Sequence, residues 1–285
     1  MIIAERSRDI GEFMVGRLLP FRKKRMVGPF IFIDHMGPSA VGPGRWMDIG
    51  QHPHIGLSTL TYLFEGTIAH RDSIGSEQDI TPGSVNWMTA GKGVVHTERT
   101  PWKLQESGTE HSVHGFQIWV ALPRELEKME PEFFHVPEDQ LPVWEENNLQ
   151  LKLVAGEAFG RKSPVPVYSE LFMLEAKTRS ASSFDANDML KGEIGICVVA
   201  GVIEACGNRI EAGNMLVSKQ EDVCKIHIPE SAHLLIFGGK PFPEERHIFW
   251  NFVASDKQTL EEAKEKWRDK AFPMIEKDSS YIPLP

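Results

Sequence analysis

Between residues 10 and 240 the chain alternates short apolar runs with clusters of Gly, Pro, Asn and Asp. Gly28 to Asp34, Leu57 to Phe64, Phe116 to Leu122, Leu171 to Ala176, Gly195 to Ala200 and Ala232 to Phe237 are such runs, rich in Val, Ile, Thr and aromatic residues. Their length and turn-rich borders predict β-strands, and their even spacing predicts an all-β protein of double-sheet jelly-roll barrels. The two halves repeat one plan. Leu63-Phe64-Glu65-Gly66 followed by Ile80-Thr81-Pro82-Gly83-Ser84 is echoed by Val198-Val199-Ala200-Gly201 followed by Ile210-Glu211-Ala212-Gly213-Asn214. Each is a strand ending in Gly, then a hairpin, then a turn glycine before another strand, which predicts two tandem copies of the fold.

The acidic, Pro-interrupted stretch from Pro123 to Leu149 reads as a linker and puts the boundary near residue 140. The expected domains are 1–140 and 141–285. Only the tail predicts a helix. Ser255 and Gln258 form a capping-box pattern, Leu260, Ala263, Trp267 and Ala271 share a face, and Pro273 ends it.

With 285 residues, 41% apolar and 25% charged, the composition is globular. Thirty-one bases against forty acids leave a net charge of −9, which opposes direct nucleic-acid binding or docking on an anionic membrane. Arg22-Lys23-Lys24-Arg25 reads as a solvated turn. No stretch has the length of a membrane span and no apolar signal core follows Met1, so a soluble, cytoplasmic protein is expected. Cys197, Cys206 and Cys224 lie in the second half at no zinc-like spacing, which reads as reduced thiols and no disulfide framework.

Eight of the eleven histidines precede residue 140. His52-Pro53-His54 puts two imidazoles at i and i+2, on one face of an extended strand, and His96-Thr97-Glu98 repeats that geometry with an imidazole and a carboxylate. Brought together by the intervening hairpins, these four side chains make a coordination shell of three neutral nitrogens and one anionic oxygen. Gly91-Lys92-Gly93 marks the turn that aims the His96 strand. Such ligands suit a divalent transition metal, whether iron, manganese, nickel, copper, cobalt or zinc, and the lack of any first-half cysteine excludes a thiolate zinc site there.

The blocks Val27 to Pro38, His52-Pro53-His54-Ile55-Gly56, Trp87 to Gly93, His96-Thr97-Glu98 and His114 to Val120 resemble the signature blocks of the pirin family. The resemblance continues through Phe237-Gly238-Gly239 and Trp250-Asn251-Phe252. It implies two cupin β-barrels with Fe(II) held in the first by His52, His54, His96 and Glu98. Several pirins act as quercetin 2,3-dioxygenases, and some animal members are nuclear transcriptional co-regulators. One position departs from a pattern common among cupins, in which a glutamate four residues after the second His completes the metal set. Ser58 stands there, so Glu98 is left as the sole carboxylate. In the second half the matching positions fall near Asn187 and Met189, with His227 near the counterpart of His96, and no metal is expected there.

The resemblance makes a flavonol and dioxygen the expected partners. Glu98 is then both ligand and general base for the flavonol 3-hydroxyl. The alternative is a metal-containing regulatory or redox-sensing module that binds a protein partner without turnover. A third reading is a cupin isomerase or lyase that consumes no oxygen. Among other polar residues, His35 beside Asp34 reads equally as a support for a ligand or as a turn device. His70 with Asp72, and His111 with His114, read as strand-surface or hairpin residues. Gln117 reads as facing the cavity, and Trp46, Met47, Trp87 and Met88 as pocket wall or ordinary core.

Overall fold

The computed structural model describes residues 1–10, 14–185, 190–218 and 225–285. The chain forms two compact units that interleave, one of 1–7, 16–33 and 136–242, the other of 8–15, 34–135 and 243–285. The bulk of each, 34–135 and 136–242, follows chain order, while 1–7, 16–33 and 243–285 group across it. The termini depart from that order because each finds its pairing partners elsewhere. Ile2–Ala4 completes a sheet by pairing with Asn214–Ser218, while the C-terminal helix packs on Ile55, Val95 and Phe252.

In the unit that contains 136–242, strands Ile2–Ala4, Asn214–Ser218, Glu193–Ala200, Ala232–Gly239, Leu171–Thr178, Leu149–Ala158 and Val143–Glu146 form the larger sheet in that order. Ser182–Phe184, Ile226–Ile228, Val202–Ala205 and Asn208–Glu211 form the smaller. The interior is a continuous apolar cluster including Leu153, Leu174, Ile196, Ile203, Ile226, Ile228 and Leu234. His227 lies between Ile226 and Ile228 and is exposed, because alternation along the strand turns it outward. Asn187, Met189 and Cys224 lie outside the described residues.

In the other unit, Asp48–His54, Val94–Arg99, Ile68–Asp72 and Glu77–Ile80 form a four-stranded antiparallel sheet. Leu57–Glu65 pairs with Val85–Thr89 on one side and His111–Ala121 on the other to form the centre of the second sheet. The strands thus build the two-sheet jelly roll of a cupin in each unit, without continuous hydrogen bonding into closed barrels. The echo seen in the sequence is real at the backbone. Gly66 and Gly201 end equivalent strands with φ of 85° and 80°, a left-handed conformation that glycine adopts at little cost.

Local differences have local causes. The stretch read as a linker carries strands Glu132–Val136 and Val143–Glu146. Asn147 and Asn148, both at positive φ, close a tight hairpin from Glu146 to Leu149, a geometry asparagine tolerates. The C-terminal helix spans Lys257–Arg268 and is capped by Asp256, whose carboxylate accepts from the Thr259 amide at 2.8 Å. Ser255, the expected cap, instead donates to Glu127 Oε2. A short helix, Trp102–Ser107, has too few residues to show a period in the sequence. Cys197 is a buried free thiol. Cys206 is disulfide-bonded, which corrects the expectation of reduced thiols throughout, since spacing along the chain does not report proximity in space. Among the described residues no helix is long and apolar enough to cross a membrane.

Candidate metal centre

Strand register brings the predicted residues onto one face. In the antiparallel pairing of Val94–Arg99 with Asp48–His54, His96 stands opposite His52 and Val94 opposite His54. A register shift between His96 and Glu98 sets Glu98 against Ile49. On its other edge the same strand places His96 opposite Asp72 and Glu98 opposite His70. Because i and i+2 share a face, all six side chains belong to one polar surface inside the jelly roll.

His52, His54 and His96 are 7%, 1% and 1% exposed, and each offers a ring nitrogen within 4.8 Å of those of the other two. Their outer nitrogens are occupied. His52 Nδ1 donates to the Gly50 carbonyl at 2.8 Å, and His54 Nδ1 to the Asn251 carbonyl at 3.2 Å. Gly56 permits the second contact by letting the chain at 251–253 come close. Its φ is +68°, and a Cβ there would lie 2.0 Å from the Val253 carbonyl oxygen. His96 Nδ1 lies 3.4 Å from His70 Nδ1. The carbonyl bonds leave the Nε2 lone pairs of His52 and His54 available, and His96 Nε2 is buried without a hydrogen-bond partner.

Burial keeps the three rings neutral. It pulls His52 down to about 4, with the Gly50 bond opposing and the nearby His70 imidazole assisting. Burial, and then the neighbouring imidazoles, hold His54 and His96 well below the ordinary histidine range. Three neutral imidazoles converging on a buried point, one with an orphaned nitrogen, fit a transition metal better than they fit one another.

Glu98 is 7% exposed and falls outside the 4.8 Å grouping of the three histidines. Burial raises its pKa, opposed by the neighbouring His70 imidazole and by the Thr61 hydroxyl. Thr61 Oγ1 lies 3.2 Å from Glu98 Oε1 and 2.7 Å from Gln117 Oε1, and its single proton serves one of them at a time. Gln117, isolated in an apolar strand of the second sheet, is thus linked to Glu98 through Thr61. Thr61 was legible only as strand composition; its alignment opposite Gln117 comes from the pairing of Leu57–Glu65 with His111–Ala121.

Other expectations divide. Ser58 is fully buried and bonds Thr89 Oγ1 at 2.9 Å. His35 pairs with His114 at 2.9 Å and stacks on Phe116. Trp87 and Met88 are buried core, whereas Trp119, unremarked in the sequence, stands edge-on to His54 at 5.0 Å. His70 and Asp72 are not surface residues: they are 3% and 4% exposed and sit behind His96.

Comparison with known proteins gives this geometry a family. Residues 12–120 match the pirin model and residues 173–273 the pirin C-terminal cupin domain. A pirin-like protein of Caulobacter vibrioides is 43% identical, the match covering 100% of this chain and 99% of that one. The crystal structure of a quercetin 2,3-dioxygenase from Acinetobacter baumannii superposes with a TM-score of 0.91 at 36% identity, covering 100% of this chain and 94% of that one. The bacterial pirin YhhW of Escherichia coli, solved in complex with nickel(II), shares the fold, with a TM-score of 0.67 at 19% identity over 85% of this chain and 99% of that one. Matched along both halves and over its whole length, this chain belongs to the pirin family.

Proposed function

We propose that this chain is a metal-dependent dioxygenase that cleaves quercetin-type flavonols with O2. The observation that carries the reading is the convergence of three neutral, buried imidazoles whose ring nitrogens lie within 4.8 Å of one another, one of them without a hydrogen-bond partner, on the polar surface that also carries the buried Glu98 carboxylate. In this reading His52, His54, His96 and Glu98 hold the ion, with Fe(II) the favoured metal. A bound divalent metal would supply Lewis acidity and redox capacity toward an oxygen ligand. One carboxylate against a divalent ion leaves a local charge near +1, which suits an anionic, chelating substrate such as a flavonol with its 3-hydroxyl and 4-keto oxygens. The Acinetobacter relative, named as a quercetin 2,3-dioxygenase, supports that substrate class.

The chain's own residues contribute orientation and proton handling. Glu98 is the carboxylate placed to accept the 3-hydroxyl proton, and its raised proton affinity suits that task. Thr61 bridges Glu98 and Gln117, and this polar group offers hydrogen bonds to a polar ligand. Trp119 supplies an aromatic wall beside His54.

One observation favours a second reading, a metal-containing regulatory or redox-sensing module without turnover. None of the four residues lines either of the cavities described among these residues. One of about 650 Å³ lies around Gln140, Lys162 and Pro164, and one of about 220 Å³ around Ile55, Lys92 and Phe272. The two readings separate in one experiment. The protein is purified without added metal, bound metals are quantified by mass spectrometry, and quercetin absorbance and dissolved O2 are followed together. Near-stoichiometric metal with coupled loss of both reagents, abolished in His52→Ala, is the expected result. Stoichiometric metal without turnover favours the regulatory module, and absence of metal overturns both readings.

A further inference from the structure

We propose that His70 and Asp72 are positioning residues for the metal centre, forming a hydrogen-bond chain that keeps the proton of His96 on Nδ1 and its Nε2 lone pair directed at the metal position. The inference rests on the reading that His52, His54 and His96 hold a metal.

The chain can be followed atom by atom from the backbone inward. The amides of Ile74 and Ser76 donate to Asp72 Oδ1 at 3.1 and 2.8 Å, which fixes the carboxylate in the turn that follows its strand. Ser73 stitches this turn to the ligand strand, its amide donating to the Val95 carbonyl and its hydroxyl accepting from the Val95 amide. Asp72 Oδ2 lies 3.0 Å from His70 Nε2. An ionised carboxylate only accepts, so His70 carries its proton on Nε2 and presents a bare Nδ1. That nitrogen faces His96 Nδ1 at 3.4 Å and can only accept there, so His96 carries its proton on Nδ1. His96 Nε2 is left as a lone pair, buried and without a partner. The His70 ring is held in plane by stacking on Phe133, centroids 4.7 Å apart at 20°.

The three ligands are thereby supported differently. His52 and His54 are oriented by backbone carbonyls, which no side-chain substitution removes directly. His96 alone is oriented by side chains. Its metal-binding strength is therefore open to adjustment at His70 and Asp72, in the way outer hydrogen bonds tune metal-ligating histidines generally.

Two substitutions test the chain. His70→Phe preserves an aromatic ring against Phe133 and removes the acceptor for His96. Asp72→Asn is the sharper change. Ile74 and Ser76 require an acceptor at Oδ1, so the new amide nitrogen faces His70 Nε2, reverses the tautomer of His70, and drives the His96 proton onto Nε2. Affinity is read by titrating Co(II) into metal-free protein against a competing chelator, with wild type and His52→Ala alongside. The expected result is Co(II) binding by wild type, none by His52→Ala, and affinity about 10–100-fold weaker in both test variants. His70→Asn, whose amide oxygen can still accept near the original Nδ1 position, should recover part of the loss.

Nitrogen-15 chemical shifts of the histidine rings in metal-free wild type give a second readout that needs no variant to fold. They should report an Nδ1–H tautomer for His96. Tight Co(II) binding by wild type with equal affinity in both variants, or an Nε2–H tautomer for His96, overturns the positioning role and leaves the metal site intact. Failure of wild type to bind Co(II) overturns the metal reading itself, and the inference with it.

Discussion

The two jelly rolls give the same chain trace two kinds of interior. In one, the strand Val94–Arg99 turns His96 and Glu98 inward, opposite His52 on one edge and Asp72 and His70 on the other. In its counterpart, Ile226–Ile228 turns two isoleucines inward, next to Phe184 on the paired strand, and sends His227 to solvent. The hairpins match as well. His70 and Asp72 face inward on one, whereas Ile203 and Ala205 are buried on the other. Strand order and turn glycines are therefore indifferent to what fills the space between the sheets. An apolar filling contributes stability through burial and close packing. A filling of imidazoles and carboxylates gives up that gain and pays desolvation, a cost that a bound metal can offset.

Four measurements break or sharpen this contrast. The largest effect is expected at Glu98. Glu98→Gln should lower flavonol turnover by about 10²–10⁴-fold while metal content, measured by mass spectrometry, falls much less. Parallel loss of both would reduce Glu98 to a plain ligand.

Metal removal should come next. If the polar interior depends on its ion, chelation should lower unfolding free energy by about 4 kcal/mol relative to protein with free metal a thousandfold above its Kd. Calorimetry should assign the shift to the unit containing His52, and His52→Ala should be insensitive to chelator.

The apolar unit should respond to the opposite treatment. Leu234 is 1% exposed in its core, so Leu234→Ala should cost about 2–5 kcal/mol in denaturant unfolding without changing metal stoichiometry. Loss of metal in that variant would show the interiors to be energetically linked.

Acid offers a smaller, separable probe. Burial alone would raise the pKa of Glu175, but hydrogen bonds from His233 and Lys177 and their charges outweigh it and hold the carboxyl at about 2, against 4.5 when unfolded. A depressed folded value stabilises above the unfolded one, so this contribution, about 3 kcal/mol at neutral pH, should disappear as pH falls from about 4.5 toward 2. Glu175→Gln should flatten that part of the stability profile.

Much of this molecule was legible in one sequence because its signals are local. Alternation and turn glycines specify strands and hairpins, and Gly66 and Gly201 mark the same bend twice. His-x-His and His-x-Glu at i and i+2 specify shared faces wherever those strands lie. The interleaving of the units was not legible, because pairing of Ile2–Ala4 with Asn214–Ser218 depends on partners more than 200 residues apart. Nor was the helix cap resolved. Ser255 and Asp256 are both good caps, and the nearby Glu127 carboxylate engages the first while the second turns to Thr259.

The sequence by itself determined the fold class, the duplication and the residues that meet on one buried polar face, since each follows from backbone period and residue chemistry. Tertiary structure alone decided how those side chains are held. The carbonyl of Asn251 reaches His54 from nearly 200 residues away, Thr61 joins Glu98 to Gln117 through strand register, and Asp72 acts on His96 through His70. Hydrogen bonds of that kind depend on distances of about 3 Å between atoms the chain order does not relate, and only the packed sheets bring those atoms within reach.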